Sequence, residues 1–386
     1  DWADYQDASS AVMVTLTATT ANGVTTGGGS STGGDGRDVL KNIEAVRGSI
    51  FNDNLIGNSL DNFLRGGLGN DTLDGGAGFD WADYRNASDS VTVNLLLGTS
   101  SGADGNDSLR NIEAIRGGIG NDLLIGDAGD NWLRGGLGND TLDGGAGFNW
   151  ADYRDADGYV TVDLTNSTAQ GADGNDSLIN IDKIRGSKFD DKLIGNSKDN
   201  FLRGGLGNDT LEGRGGYDWV DYRDASGSVF VTLTDAIGVN GYTGGISSGA
   251  DGNDTMIGIE AICGSNFNDS LKGNSDDNWL RGELGNDTLD GGAGFDWVDY
   301  RWASGPIKVD LLNGTVSGAD GNDILISIEG IRGSDYNDSL IGNASDNFLR
   351  GGQGNDTLDG GAGFDWADYR DASGAVYVSL ATGIVK

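Results

Sequence analysis

Gly66 to Tyr84 reads GGLGNDTLDGGAGFDWADY. Its first nine residues, Gly66 to Asp74, fit the nonapeptide G-G-x-G-x-D-x-U-x at every fixed position, where U is a large apolar residue. The next nine, Gly75 to Asp83, keep the glycines and Asp80 and put Ala82 in the apolar slot. Glycines of this kind let a tight turn take positive φ and bring main-chain carbonyls close to an ion. The aspartate adds a hard anionic oxygen. The last three residues of each nonapeptide make a short strand whose middle side chain points inward. One such word is weak evidence, because Gly-Asp-Asn sequences also build ordinary turns. Recurrence throughout the chain makes it decisive.

The word Asp-Trp-Ala-Asp-Tyr and its close variants begin at Asp1, Asp80, Asn149, Asp218, Asp296 and Asp365, 69 residues apart or, at two places, 78 and 79. A long period assembled from nonapeptides predicts one continuous solenoid of about five units spanning 1–386, with breaks near 80, 149, 218, 296 and 365. Within a unit, Gly117–Ile125, Gly126–Arg134, Gly135–Asp143 and Gly144–Asp152 are four nonapeptides. Tyr153–Gln170 is an 18-residue piece with the alternating strand Tyr159 to Leu164, and Gly171–Ile179 with Asn180–Arg185 closes the unit. If two nonapeptides make one coil, a unit is four coils. The chain then holds about 21 coils in a rod on the order of 100 Å long. The longer intervals carry Gly/Thr/Ser/Asn-rich insertions at Thr20–Thr32 and Asp235–Ser247, expected as surface loops. The final alternating strand is Val376 to Leu380. Opening on Asp1 and stopping inside a repeat, the sequence reads as an excerpt of a longer chain.

Composition narrows the function. The 386 residues include 70 Gly and one Pro, without the three-residue period of collagen. Sixty Asp plus Glu against 25 Lys plus Arg give a net charge of −35, which repels nucleic acid and anionic membrane. Regularly spaced Leu, Ile, Val, Phe and Trp argue against a disordered acidic chain, so the acidic groups need a bound counter-charge. There is no His, which removes His-based catalysis and His metal sites, and a non-enzymatic chain is expected. Cys263 stands alone and forms no internal disulfide. No apolar run is long enough to span a bilayer.

The motifs GGLGNDTLD at Gly66 and Gly135 and GGQGNDTLD at Gly351, each followed by GGAGF, resemble the RTX, or haemolysin-type, calcium-binding repeats of secreted bacterial proteins. The phrase Gly249–Leu271, GADGNDTMIGIEAICGSNFNDSL, is similar to a linker unit of that family. The resemblance implies an all-β fold, a right-handed parallel β-roll with Ca²⁺ between stacked turns. It also implies export by a one-step (type I) secretion system, folding in external calcium, and a secreted or cell-surface location. One nonapeptide per unit departs by carrying Asn at the sixth position: Asn62, Asn131, Asn200, Asn278 and Asn347.

In a two-nonapeptide coil, positions 18 apart stack about one strand spacing, roughly 4.8 Å, apart. This sets Asp53 over Asp71, Asp122 over Asp140, Asp191 over Asp209, Asp269 over Asp287 and Asp338 over Asp356. Carboxylates this close repel unless a cation lies between them. With turn carbonyls, each pair makes a six- to eight-oxygen site suited to Ca²⁺. A 15-residue step adds Asp38 with Asp53, Asp107 with Asp122, Asp176 with Asp191, Asp254 with Asp269 and Asp323 with Asp338. The opposite edge pairs Asn62 with Asp80, Asn200 with Asp218, Asn278 with Asp296 and Asn347 with Asp365, whereas Asn131 and Asn149 are uncharged and predict a weak or empty site. About 10 to 15 Ca²⁺ would offset much of the net charge.

Leu64, Leu73 and Ala82 take inward slots, so Phe63 with Trp81, Trp132 with Trp150, Phe201 with Trp219, Trp279 with Trp297 and Phe348 with Trp366 are expected on an outer face. Arg65 with Asp83 and its equivalents lie beside them. Three readings stay open for this stripe: a stiffening ladder, a surface for self-association, or a sugar-stacking platform. For the whole chain they lead to a calcium-dependent rod, adhesin stalk or filament or surface-layer block. The alternatives are a calcium-folding module of a secreted enzyme and a carbohydrate-binding module.

Overall fold

The computed structural model describes residues 1–21, 24–237, 241–379 and 384–385. Every regular element among them is a strand, most of them three residues long. The fold is an all-β parallel β-roll, as the repeats predict. By packing, the chain divides into Asp1–Ile194 and Gly195–Lys386.

In the first half, one face is a parallel ladder of eight strands, Trp2–Asp4, Ala45–Arg47, Phe63–Arg65, Trp81–Asp83, Ala114–Arg116, Trp132–Arg134, Trp150–Asp152 and Lys183–Arg185. The second half repeats it with eight strands from Phe201–Arg203 to Trp366–Ala367. Three residues suffice because only the middle one must be inside. Leu64, Leu133, Leu202 and Leu280 on this face, and Leu55, Leu73, Leu124, Leu142 and Leu289 on the other, are fully buried. Each such leucine contributes about 1.5–3 kcal/mol by leaving water. Gly67 shows why the turns between strands need glycine. Its φ is 98°, and a Cβ there would fall 2.2 Å from the Ser49 carbonyl of the coil below.

The other face corrects the four-coil unit. From Trp81–Asp83 the chain crosses to Val91–Asn94, which pairs parallel with Leu123–Ile125 of a later coil. It then doubles back antiparallel through Thr99–Gly102. It reaches Ser108–Arg110, parallel to Thr72–Asp74, and returns to the first face at Ala114–Arg116 beside Trp81–Asp83. A unit is therefore three coils and a hairpin. The hairpin closes because Gly98 takes φ 66° and Asn94 Oδ1 accepts the Leu97 N–H at 2.9 Å. The 18-residue piece matched a coil in length but not in path.

The two insertions are also not loops. They lengthen the same hairpin: Val12–Ala21 pairs antiparallel with Val24–Gly33, and Val229–Ile237 with Thr243–Gly249. Of these stretches, Asn22, Gly23 and residues 238–240 lie outside the described residues, as does Leu380 of the last alternating strand.

The aromatic pairs stack as expected, with Phe63 on Trp81 at 5.7 Å and 7° and Trp132 on Trp150 at 4.8 Å and 13°. In the second half, Phe201 meets Trp219 at 5.2 Å, Trp279 meets Trp297 at 5.0 Å and Phe348 meets Trp366 at 5.3 Å. The stripe is nevertheless only partly open. Trp81, Trp150 and Trp219 are buried, with cations over the rings: the guanidiniums of Arg134 on Trp81 and Arg281 on Trp219, both at 5.2 Å, and the Lys183 ammonium on Trp150 at 5.7 Å. Arg65 bonds Asp83 at 2.6 Å, and Asp83, Asp152, Asp221 and Asp299 are buried as well. Paired guanidiniums hold these four carboxyls below the usual range against the effect of burial. At Trp81, Trp150 and Trp219 the stripe is an internal ladder, whereas Trp297 is half-buried and Trp366 is exposed.

Candidate metal centres

The turns at one edge of the roll carry the aspartate at the sixth position of each word. On this edge the Asp53 N–H donates to Asp71 Oδ1 at 2.8 Å, and the Asp71 N–H donates to Asp107 Oδ1 at 2.9 Å. The next unit repeats this through Asp122, Asp140 and Asp176, at 2.8 and 2.9 Å. In the second half Asp209 donates to Asp254, Asp269 to Asp287, Asp287 to Asp323 and Asp338 to Asp356. The 18-residue steps are thus present at Asp53–Asp71, Asp122–Asp140, Asp269–Asp287 and Asp338–Asp356. Asp191 closes the first half, where it accepts the Val160 N–H at 2.7 Å; Asp209 belongs to the second.

The 15-residue steps are overturned. Asp107, Asp176, Asp254 and Asp323 sit against Asp71, Asp140, Asp209 and Asp287, and Asp38 accepts from Tyr5 and Ser31. Where the 15-residue step expected Asp38, Asp107, Asp254 or Asp323, the first N–H of a hairpin strand binds instead: Val12 to Asp53, Val91 to Asp122, Val229 to Asp269 and Ile307 to Asp338, at 2.7–2.9 Å. The cause is the hairpin, which carries the GADGND turn back to the previous coil.

On the opposite edge, the Asn62 N–H donates to Asp80 Oδ1 at 2.7 Å, and the Asp80 N–H donates to Glu113 Oε2 at 2.9 Å. Asn200, Asp218 and Glu260 repeat this, as do Asn278, Asp296 and Glu329, and Asn347 donates to Asp365. Sequence reasoning missed the glutamates. Their signal was the recurring acidic residue in Asn-Ile-Glu, Gly-Ile-Glu and Ser-Ile-Glu at Glu44, Glu113, Glu260 and Glu329, with Asp182 as the variant at the third of the five places.

Each edge leaves a carboxylate oxygen over. Oδ2 of Asp71, Asp140 and Asp287 on the first edge, and of Asp80, Asp218 and Asp296 on the second, is buried without a hydrogen-bond partner among the described residues. An orphaned buried acceptor is costly unless something unseen satisfies it. Burial, reinforced by neighbouring carboxylates, pushes Asp71, Asp140, Asp218 and Asp287 up to about 8 and Asp80 and Asp296 up to about 7. Main-chain oxygens converge on the same places. On the second edge a point built as Cβ on Gly75 lies 2.1 Å from the Asn111 carbonyl and 2.5 Å from Asp80 Oδ2, and one on Gly291 lies 2.3 Å from the Ser327 carbonyl and 2.5 Å from Asp296 Oδ2. No three acidic or cysteine side chains converge among the described residues, so carbonyls have to complete any coordination shell. Hard carboxylate and carbonyl oxygens with a buried uncompensated charge fit Ca²⁺. Asn149 differs from the aspartates at the equivalent positions. Its Nδ2 donates to the Ala146 and Asn180 carbonyls at 2.9 and 3.2 Å, filling the cradle with an amide.

Among known families, residues 47–82, 116–151, 185–220, 264–298 and 332–367 match the RTX calcium-binding nonapeptide repeat. The chain is built of RTX calcium-binding repeats. No curated protein matches it. The matched RTX segments end on the ladder strand before each hairpin, at Ala82, Ala151, Val220 and Val298. They resume at Arg116, Arg185, Gly264 and Arg332, on or just after the ladder strand that follows. The RTX coils and the hairpins are thus distinct parts of one unit, and the repeat itself is a structural calcium-binding element rather than a catalytic one.

Proposed function

We propose that this chain is a calcium-folded structural element of a secreted or cell-surface bacterial protein, without catalytic activity of its own. It would serve as a rigid spacer, adhesin stalk or surface-layer block. One observation carries the proposal: buried aspartate oxygens stand without partners among the described residues on both edges, and on the second edge turn carbonyls converge beside them. Asp71, Asp140 and Asp287 on the first edge and Asp80, Asp218 and Asp296 on the second are the ligands we assign, and Asp209, Asp356 and Asp365 are added for their equivalent place in the repeat. A roll that leaves such charges uncompensated is stable only where calcium is plentiful, which favours the outside of a cell. The five units read as one continuous solenoid because their sequence period runs through residue 194 unchanged.

A role as the calcium-folding module of a secreted enzyme fits the same sites and differs only in what is joined to the chain. Self-association and sugar binding through an open tryptophan stripe lose the support of Trp81, Trp150 and Trp219, which are buried. The test is a calcium titration followed by circular dichroism. The strand signal is expected to rise with calcium and to vanish in excess chelator at pH 8. A chelator-resistant strand spectrum at that pH contradicts the proposal.

A further inference from the structure

The tyrosine that ends each Asp-Trp-Ala-Asp-Tyr word has no part in the sites so far. Tyr84, Tyr153, Tyr222 and Tyr300 are buried. Their hydroxyls donate to Oδ2 of Asp107, Asp176, Asp254 and Asp323 at 2.9, 2.9, 2.8 and 2.7 Å. Tyr5 does the same to Asp38 at 3.1 Å. Three of these aspartates gain a second hydroxyl from the hairpin: Ser31 to Asp38 at 2.8 Å, Ser100 to Asp107 at 2.7 Å and Ser247 to Asp254 at 2.8 Å.

The donor inventory separates two kinds of aspartate in one stack. Asp107 receives the Asp71 N–H on Oδ1 and the Tyr84 and Ser100 hydroxyls on Oδ2, so three donors share about four lone-pair sites. Asp71, one turn away, receives only the Asp53 N–H, and its Oδ2 receives nothing. Asp176 and Asp323 lack the serine, with Ala169 and Val316 in its place, yet keep the tyrosine. The tyrosine is therefore the common element.

We infer that the tyrosine hydroxyl stands where a calcium ion stands elsewhere in the array, so that Asp38, Asp107, Asp176, Asp254 and Asp323 bind no ion. Each hairpin closes a calcium stack with a hydroxyl clamp. An ion entering there would displace a buried phenol from its carboxylate, in a cradle already supplied with donors. This rests on the reading that the orphaned aspartates are the calcium ligands, and it shortens the ligand set that spacing alone suggests.

The test counts ions on the full chain by equilibrium dialysis with calcium. One variant carries Asp38→Asn, Asp107→Asn, Asp176→Asn, Asp254→Asn and Asp323→Asn, in which the amide oxygen still accepts the tyrosine hydroxyl. A second carries Asp71→Asn, Asp140→Asn, Asp209→Asn, Asp287→Asn and Asp356→Asn. The first is expected to bind as many ions as the parent and the second about five fewer. If the first loses about five, the clamp is refuted. If the second loses none, the assignment of these five aspartates as calcium ligands fails instead, whatever the first does. Should either chain give no strand signal in calcium, Asp107→Asn and Asp140→Asn are compared singly by native mass spectrometry. No ion lost and one ion lost are then expected, and a lost ion in Asp107→Asn overturns the inference.

Discussion

Replacing Asp140 by Asn isolates what one calcium contributes. Asn is isosteric and keeps an Oδ1 for the Asp122 N–H, which Asp140 accepts at 2.8 Å, so the stack is preserved. What is lost is the charge of a buried carboxylate whose Oδ2 has no protein partner. If that oxygen holds an ion, the variant binds one Ca²⁺ fewer. A single site then contributes about 2.7 kcal/mol when free calcium is a hundredfold above its dissociation constant. The calcium dependence is more telling than the size. Parent and variant must diverge by about 1.4 kcal/mol for every tenfold rise in free calcium, since one bound ion separates them. Urea unfolding followed by circular dichroism, at three calcium concentrations that all keep both chains folded, measures the divergence. A gap that stays the same at all three means that Asp140 is a packing residue and holds no ion.

Three further outcomes follow from the same coordinates. In chelator, strand content is expected to be greater at pH 5 than at pH 8.5: the folded carboxyls of Asp71, Asp140, Asp218 and Asp287 lie near 8 and those of Asp80 and Asp296 near 7, above their unfolded values, so the native state holds the extra protons and loses their support as pH rises through 7–8; circular dichroism across that range checks the sign. Asp152→Asn, at a buried carboxylate bonded by both Arg134 and Arg154, is expected to cost about 3–5 kcal/mol in saturating calcium by urea titration, with no change in the number of ions bound. Trp150→Thr is expected to cost about 3–5 kcal/mol as a core truncation and to leave light scattering unchanged, whereas an open assembly stripe would show the reverse.

The coils were legible because their signals are local. A three-residue strand with one inward leucine and a glycine turn at fixed spacing needs no information from elsewhere in the chain, and Leu64, Leu73 and Ala82 lie where the nonapeptide puts them. The hairpin was not legible, because Tyr153–Gln170 has the length of a coil and its alternating strand suits either path. Which neighbour a strand pairs with is a tertiary choice, and here it moved Asp107 from Asp122 to Asp71. The burial of the tryptophans was hidden for a similar reason. Alternation shows that Trp81 points away from the leucine core, but not that Arg134, 53 positions further on, covers its ring. Glu113 went unnoticed because its word is not a nonapeptide, although it recurs with the unit.

The division of each unit into coils and a hairpin answers an electrostatic problem. A chain with a net charge of −35 that stacked aspartates along one edge without interruption would place every carboxylate between two others. Here the stack is broken into short runs such as Asp122, Asp140 and Asp176. The outer members are served by protein donors, Asp122 by the Val91 and Gly118 N–H groups and Asp176 by Tyr153 and the Asp140 N–H. Only Asp140, in the middle, is left with an oxygen that the protein does not satisfy. On the ligand assignment proposed above, calcium would be required once per run rather than at every step, with the energy of each ion concentrated on the member whose charge is least compensated. An array built this way would fold in response to calcium because of a few uncompensated positions, while the rest of the edge is held by hydrogen bonds that do not depend on the ion.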